Sequence, residues 1–333
     1  MGIFADTRRY VAEAWQAWSR FWFAPKDPAT LSLIRLLAGS LLFYTHLVWS
    51  LDLQAFLGPD GWLPVDYLRT IHTLPGDQQA QWSVWSLFFL IKPPWLLWCV
   101  HVFALLVFLC LMLGLFSRAM ATLAFLLAVS YAHRVSPGAF FGLEKINCML
   151  AMYLMLGPCG ARYSLDSLRR LRRGITDPVR PSTSANVAIR LTQVHLCIIY
   201  LFSGLAKQMG ENWQAGTAVW WALANSEYQS LDMTWIASWP KFGPVLVALL
   251  THATLFWEMY YCCLVWNRFT RPLVLWMAVG VHVGIALCMG MITFGLAMLY
   301  ANLAFINPTT VRRWVDPLAG WVAANFVAPI ANK

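Results

Sequence analysis

Lys207 is the residue in this sequence best placed for acid–base chemistry. It directly follows the apolar stretch 187–206 and precedes a polar, tryptophan-rich stretch. A lysine at such a boundary is partly removed from water, which favours the neutral amine and makes it a usable base or nucleophile. Alternatively, the side chain extends its ammonium group to a lipid headgroup, as many lysines at helix ends do. The spacing alone leaves both interpretations open.

Further ionisable side chains lie within apolar stretches, where charges are costly and mark functional candidates. They are Arg35, His46, His101, His133, Glu144, Lys145, Arg190, His195, His252, Glu258 and His282. The catalytic candidates are Lys207, His195 and Glu258. The candidates for cofactor binding are Asn147, Cys148, Trp213, Glu211, His252 and His282. A lone buried histidine also has a purely structural interpretation, and Arg35 is expected either to pair with Glu258 or to hold a lipid phosphate.

Several familiar chemistries lack their motifs. The sequence contains no HExxH and no pair of histidines at i, i+4, which zinc sites on helices use. It also contains no CxxC, no GxSxG and no glycine-rich turn that opens a helix. We therefore predict no metal site. General-base chemistry on an amphiphile delivered from the bilayer remains open.

The composition is that of an integral membrane protein. Of the 333 residues, 59% are hydrophobic and only 12% are charged, whereas soluble domains carry about 25% charged residues. The 19 tryptophans and 11 tyrosines suit aromatic belts at the two membrane interfaces. Although the formal net charge is +9, the basic residues lie mostly in short loops, which indicates membrane orientation rather than nucleic-acid binding.

The elements that must position these residues form an all-α, polytopic helical bundle of about eight transmembrane helices. The predicted spans are 31–51, 95–116, 118–133, 142–159, 187–206, 243–265, 272–289 and 291–306. With both termini in the cytoplasm, most of the 24 basic residues fall in cytoplasmic segments. We expect a bacterial inner membrane. Residues 1–29 are predicted to form an interfacial helix, 30–306 the transmembrane domain, and 307–333 a cytoplasmic amphipathic tail.

Two long outer loops, 52–94 and 207–242, are rich in tryptophan, proline and acidic residues. Long loops on one side of a bundle often form a cap or a binding site. They are the predicted surface for a protein partner, if one exists. Glu144 to Cys148 are expected at the same depth as Lys207.

The run YLFSGLAKQMGENWQAG at 200–216 resembles a segment of vitamin K-dependent γ-glutamyl carboxylases, which reads Y-x-x-A-G-x-x-K followed by W and G. Bacterial relatives of these enzymes are called HTTM (horizontally transferred transmembrane domain) proteins. Four further stretches resemble HTTM proteins: LIRLLAGSLLFYTHLVW at 33–49, MLGPCGARYSLD at 155–166, ALANSEYQSLDMTW at 222–235 and HVGIALCMGMITFGLAMLYANLAF at 282–305. The resemblance covers about residues 30–306.

The resemblance implies a compact membrane bundle that binds a menaquinone- or vitamin K-like hydroquinone, with Lys207 as the weak base that starts its oxygenation. Where the carboxylases have a histidine after an asparagine, this chain has Asn147–Cys148, and cysteine cannot supply an imidazole. The carboxylases also carry a large luminal domain that recognises their protein substrate, and we expect no counterpart of it after the short tail of this sequence.

The leading hypothesis is therefore an HTTM-like membrane protein that acts on or with a lipophilic quinol. Two alternatives remain: a non-enzymatic transporter or lipid-handling protein, and a structural membrane subunit that docks a partner.

Overall fold

The computed structural model describes residues 2–72, 85–135 and 142–327. Within these ranges the chain is helical and forms no β-strand; one isolated bridge joins Lys26 to Ser182. The helices are α1 (Gly2–Phe23), α2 (Ala29–Trp49), α3 (Leu53–Leu57), α4 (Val65–His72), α5 (Pro94–Leu113), α6 (Ser117–Val135), α7 (Leu143–Leu156), α8 (Leu165–Arg172), α9 (Thr183–Gln208), α10 (Glu211–Gln214), α11 (Ala218–Leu223), α12 (Phe242–Leu264), α13 (Arg271–Cys288), α14 (Ile292–Asn302) and α15 (Pro308–Val327). Short 3₁₀ turns occupy Ser50–Asp52, Leu87–Phe89, Thr234–Ser238 and Leu303–Phe305.

Each of the eight predicted spans coincides with a helix, so the all-α prediction is confirmed. In the described residues, five helices are long and apolar enough to cross a bilayer: Ala29–Leu57, Pro94–Leu113, Thr183–Gln208, Phe242–Leu264 and Arg271–Cys288. Counting the helices at 292–305 and 308–325 together as one broken span gives a sixth. The count of eight is therefore not established. Outside the five long helices, α7 and α14 have only 14 and 11 residues.

The chain divides into two compact units. The first contains residues 1–191 and 306–333. In it α2 packs against α5, α5 against α6, α6 against α7, and α7 back against α2, which closes a four-helix bundle. Gly39 permits a close approach of α2 to α5, because a Cβ there would lie 2.7 Å from the backbone nitrogen of Met112.

Two fully buried arginines hold helix ends in this unit. Arg35 donates hydrogen bonds to the carbonyl oxygens of Leu111, Met112 and Tyr163. Arg134 donates to the carbonyls of Leu57 and Gly58. The last carbonyls of a helix have no partner within the helix, so a buried arginine can satisfy them. Arg35 therefore binds backbone oxygens and not a carboxylate.

A cluster of charged side chains joins the N- and C-terminal parts of this unit. Asp27 pairs with Arg162 at 2.9 Å and lies 3.7 Å from Arg312. Asp316 accepts hydrogen bonds from Tyr163 at 2.7 Å and from Arg312 at 3.0 Å.

The predicted terminal amphipathic segments are helices α1 and α15. Within α1 the side chains of Trp15 and Trp18 are largely exposed, as are those of Trp314 and Trp321 within α15. Residues 328–333 of the predicted tail lie outside the described part of the chain, and so do residues 73–84 of the outer loop 52–94.

The second unit contains residues 192–305. It is built from the C-terminal part of α9 together with α12, α13 and α14. The short helices α10 and α11 pack against α12, and Val219 N donates to Thr251 Oγ1 at 3.2 Å. The predicted outer loop 207–242 thus folds back along α12 for part of its length.

Candidate functional site

Lys207 lies in the last turn of α9 and its ammonium group has two acidic or polar partners. Nζ donates to Ser203 Oγ at 2.6 Å, one turn earlier on the same helix. It also donates to Glu258 Oε1 on α12 at 3.1 Å. Glu258 Oε2 is nearer, at 2.8 Å, but lies outside the directions of a well-aligned hydrogen bond, so that contact is an ion pair. The structure thus joins two of the three predicted catalytic residues.

The two partners differ in burial. The Glu258 side chain is 9% exposed, whereas the Lys207 side chain is 27% exposed. A buried carboxylate needs a charged partner, because taking it out of water unpaired is expensive. Lys207 provides that partner and still presents part of its side chain to a molecule that approaches the unit.

A glycine lets α9 and α12 come close enough for this pair. A Cβ on Gly204 would lie 2.8 Å from Met259 Cγ, 3.0 Å from Met259 N and 3.2 Å from Glu258 Cβ. Side chains at i and i+3 share a helix face, so Gly204 lies on the same face as Lys207. The small residue therefore places the amine directly beside the carboxylate.

The Lys207–Glu258 pair does not lie at the start of α12, where a lysine at a simple helix boundary would be expected to meet it. Glu258 is sixteen residues after Phe242, the first residue of α12. At 1.5 Å per residue this is roughly 24 Å along the helix axis. Lys207 therefore contacts α12 well beyond its first turns, beside the folded-back segment that contains α10 and α11.

Trp213 on α10 flanks the amine. Lys207 Nζ lies 5.5 Å from the centroid of a Trp213 ring, within the range of a cation–π contact. Glu211 begins α10 and is exposed. His252 is also exposed and approaches Gly216, where a Cβ would lie 2.9 Å from His252 Nε2. Of these predicted cofactor residues, the structure brings only Trp213 to the amine.

A buried hydrogen-bonded chain lies further along the same helix faces. Tyr261 OH donates to Asn302 Oδ1 at 2.7 Å, and Asn302 Nδ2 donates to Tyr200 OH at 3.0 Å. Tyr200 OH lies 2.7 Å from His282 Nε2. Because Tyr200 already accepts from Asn302, its own proton is free to point to His282. The predicted residue His282 thus belongs to this hydrogen-bond network and not to the Lys207–Glu258 ion pair.

Three predicted residues lie elsewhere. His195 precedes Lys207 by twelve residues on α9, which is roughly 18 Å along the axis, so the two side chains do not meet. Asn147 and Cys148 lie on α7 in the first unit. Asn147 is buried and Cys148 half-buried. Their expected approach to Lys207 stays a prediction.

Ser203, Tyr200, Tyr261 and Asn302 were not among the predicted site residues, although Tyr200 and Ser203 lie within the run 200–216. Helical spacing could have found the first two, because positions 200, 203 and 207 lie on one face of α9. Tyr261 similarly follows Glu258 by three residues on α12. No sequence pattern joins α9 to α12, because Lys207 and Glu258 are 51 residues apart.

Among the residues that the structure describes, no three or more His, Cys, Asp or Glu side chains lie close enough together to hold a metal ion. Comparison with known proteins finds no match: no family model, no curated protein and no solved structure is significantly similar to the chain. The resemblance to HTTM proteins and carboxylases therefore remains a prediction from the motifs at and around 200–216.

Proposed function

We propose that this chain is an integral membrane protein that removes a proton from a hydroxyl group of a lipophilic small molecule of the hydroquinone class. The observation that carries the proposal is the ion pair between the part-exposed Lys207 and the buried Glu258. Both residues lie on helices long and apolar enough to cross a bilayer.

The pair divides the chemistry between its two members. An ion pair stabilises the charged form of both partners, so the resting site is an ammonium beside a carboxylate. A substrate hydroxyl that enters beside Lys207 gives its proton to the Glu258 carboxylate. The ammonium of Lys207 then stabilises the oxyanion that forms. In this scheme Lys207 enables the deprotonation, and Glu258 accepts the proton.

The surroundings of the amine suit an aromatic substrate. Trp213 provides a flat apolar surface 5.5 Å from Nζ, and aromatic rings pair favourably in offset or edge-to-face arrangements. Ser203, one turn earlier on α9, accepts a hydrogen bond from the ammonium. The resemblance to HTTM proteins supports a quinol of the menaquinone or vitamin K type. Cys148 argues against glutamate carboxylation as the later step, because a thiol cannot replace the expected imidazole.

The membrane arrangement that we propose has eight spans, with both termini in the cytoplasm of a bacterium. Its support is the distribution of basic residues and the burial of the helices that are least apolar. In α6 the buried residues include Ala121, Ala124, Tyr131 and Arg134. A helix surrounded by other helices needs less apolar surface than one that faces lipid. Reporter fusions after residues 135 and 333 test the arrangement, since the first must report the outer side of the membrane and the second the cytoplasm.

The test of function uses a naphthol probe, whose absorption distinguishes the neutral hydroxyl from the oxyanion. Protein in lipid nanodiscs is expected to bind the probe and shift it to the anion at a pH where free probe is neutral. Lys207→Met, which removes the cation that stabilises the oxyanion, is expected to abolish the anion signal. Glu258→Gln, which keeps that cation, is expected to change the signal less. Lys241→Met, which removes an exposed lysine of the same unit, serves as the control. An anion signal that persists in Lys207→Met would remove the basis of the proposal.

Proton-coupled transport is a second candidate, and one observation favours it. The chain of Tyr261, Asn302, Tyr200 and His282 places polar groups in the interior of the second unit, beside the ion pair. Polar groups at such positions mark ion and proton pathways in many membrane proteins. In proteoliposomes with a pH gradient, transport predicts proton flux that Asn302→Leu abolishes, whereas quinol chemistry without transport predicts no flux.

A further inference from the structure

A small buried cavity lies inside the four-helix bundle of the first unit. Thr45, His46, Glu144 and Asn147 contribute polar side chains to its wall, and Tyr131 is among the aromatic residues that complete it. The cavity belongs to α2, α6 and α7. It is separate from the Lys207 site, and the inference does not depend on the proposed function.

Three polar atoms in this wall are buried and lack a protein partner. Thr45 Oγ1, His46 Nε2 and Asn147 Oδ1 make no hydrogen bond to any residue that the structure describes. The residues that carry them are 9%, 4% and 3% exposed. An unpaired buried polar group costs about 1–3 kcal/mol. Three of them around one cavity indicate a shared guest.

The hydrogen bonds of the neighbouring atoms decide what kind of guest fits. His46 Nδ1 lies 2.7 Å from the carbonyl oxygen of Leu42. A carbonyl only accepts, so Nδ1 carries the proton, and Nε2 of the neutral ring is an acceptor. Asn147 Oδ1 is also an acceptor, while the Thr45 hydroxyl can donate. A molecule that satisfies all three atoms must therefore donate two hydrogen bonds and accept one.

The size of the cavity narrows the choice further. Its volume is about 10 Å³, and a buried water needs on the order of 10–15 Å³ and two to four polar partners. We propose that this cavity binds one ordered water molecule. The water donates to His46 Nε2 and Asn147 Oδ1 and accepts from Thr45 Oγ1. These three bonds match the usual number for a buried water.

A neighbouring histidine, His101, differs from His46 in the hydrogen-bond partners of its ring nitrogens. His101 Nδ1 lies 2.7 Å from Tyr131 OH, and His101 Nε2 lies 2.9 Å from Ser50 Oγ. Both ring nitrogens of His101 are thus satisfied by protein side chains. Within the described residues, His46 has a hydrogen-bond partner only at Nδ1, and Nε2 is left for the guest of the cavity. The proposed water completes His46 as Ser50 and Tyr131 complete His101.

The first test is direct and needs the wild-type protein. In solid-state NMR on ¹⁵N-histidine-labelled protein in lipid, His46 is assigned by the loss of its signals in His46→Phe. Rapid polarisation transfer from water to His46 Nε2, with the proton on Nδ1, is expected. The absence of water transfer to Nε2 would overturn the proposal, because a dry or lipid-filled cavity offers no such source.

The second test is a double-variant cycle on thermal unfolding. If a water joins the side chains, Thr45→Val and Asn147→Leu each lower Tm, and the double variant loses little more than the worse single variant. In a dry cavity, Thr45→Val removes an unpaired hydroxyl and raises Tm. An increase in Tm, or strictly additive losses, contradicts the proposal.

Thr30→Val is the matched control. Thr30 lies on the same helix, is fully buried, and donates directly to the carbonyl of Ile306 at 3.2 Å. Its replacement is expected to lower Tm additively with Asn147→Leu, because the two residues share no partner.

Discussion

The two units of this molecule bury positive charge in different ways. In the first unit, Arg35 and Arg134 are completely buried and donate hydrogen bonds to backbone carbonyl oxygens at helix ends. In the second, Lys207 keeps 27% of its side chain exposed and faces a carboxylate. A guanidinium with five donors in a rigid fork suits several fixed acceptors, whereas a single ammonium on a flexible stem can change partners. The comparison separates charges that hold the fold from a charge that is free to act on a ligand.

The largest expected effect is on Arg35. Arg35→Leu removes the hydrogen bonds that the buried guanidinium donates to the carbonyl oxygens of Met112 and Tyr163. It also removes one of the hydrogen bonds to the carbonyl oxygen of Leu111. With each unpaired group worth about 1–3 kcal/mol, we expect a loss of about 3 kcal/mol or more in the free energy of unfolding. Thermal unfolding in detergent measures it. A variant with unchanged Tm would show that Arg35 is not structural, and the comparison would fail.

A moderate effect is expected at Lys207. Lys207→Met leaves Glu258 buried without its charged partner and should lower stability by about 1–3 kcal/mol. The double variant Lys207→Met with Glu258→Gln should recover most of that loss, because neither charge remains. Naphthol ionisation should stay absent in the double variant. A double variant that regains stability but does not ionise naphthol would show that Lys207, unlike Arg35, is needed for ionisation of the ligand and not for the fold.

If the double variant is no more stable than Lys207→Met alone, the ion pair does not explain the loss. The lysine would then contribute through its packing against Trp213 and Ser203, and its separation from the structural arginines would disappear.

The smallest expected effect is at Gly204. A methyl group there meets Met259 at 2.8–3.0 Å, so α9 and α12 must move apart by a few tenths of an ångström. Overpacking of this kind costs about 1–3 kcal/mol, and we expect the lower end because one contact is to a flexible side chain. Gly280→Ala is the control, since a Cβ at Gly280 on α13 meets no atom within 4 Å.

For Gly204→Ala, the informative measurement is the naphthol signal relative to Tm. A loss of ionisation larger than the loss of stability indicates that the close approach serves the Lys207–Glu258 pair. If Gly204→Ala and Gly280→Ala change the naphthol signal and Tm equally, the close approach of α9 to α12 has no special role at the site.

Much of the secondary structure could be predicted from the sequence. Apolar runs of about 20 residues must satisfy their backbone groups internally in a bilayer, so each of the eight runs predicted a helix, and a helix overlaps each of them. The predicted span 95–116 began one residue after Pro94, the first residue of α5, but ran past Gly114, before which the helix ends. The number of spans was less predictable, because helices such as α7 and α14 are short and lie among other helices.

The site was only partly predictable. Desolvation arguments singled out Lys207 and Glu258 separately, since each is a charge in an apolar context. Their pairing depends on a contact between α9 and α12 that no local pattern encodes. Arg35 illustrates the same limit, because its true acceptors are carbonyl oxygens, which every residue has and no sequence marks.

The acceptors of Arg35 have a consequence for how the protein is made. They lie 76 to 128 residues further along the chain. At a synthesis rate of roughly 5–20 residues per second, the ribosome needs on the order of 4–25 s to produce them. For that interval the first apolar helix carries a positive charge with no acceptor of its own. We therefore expect stable insertion of α2 to depend on the later arrival of α5 and of the turn at Tyr163. A truncated chain that ends before α5 should be held less firmly in the bilayer than the length of α2 suggests.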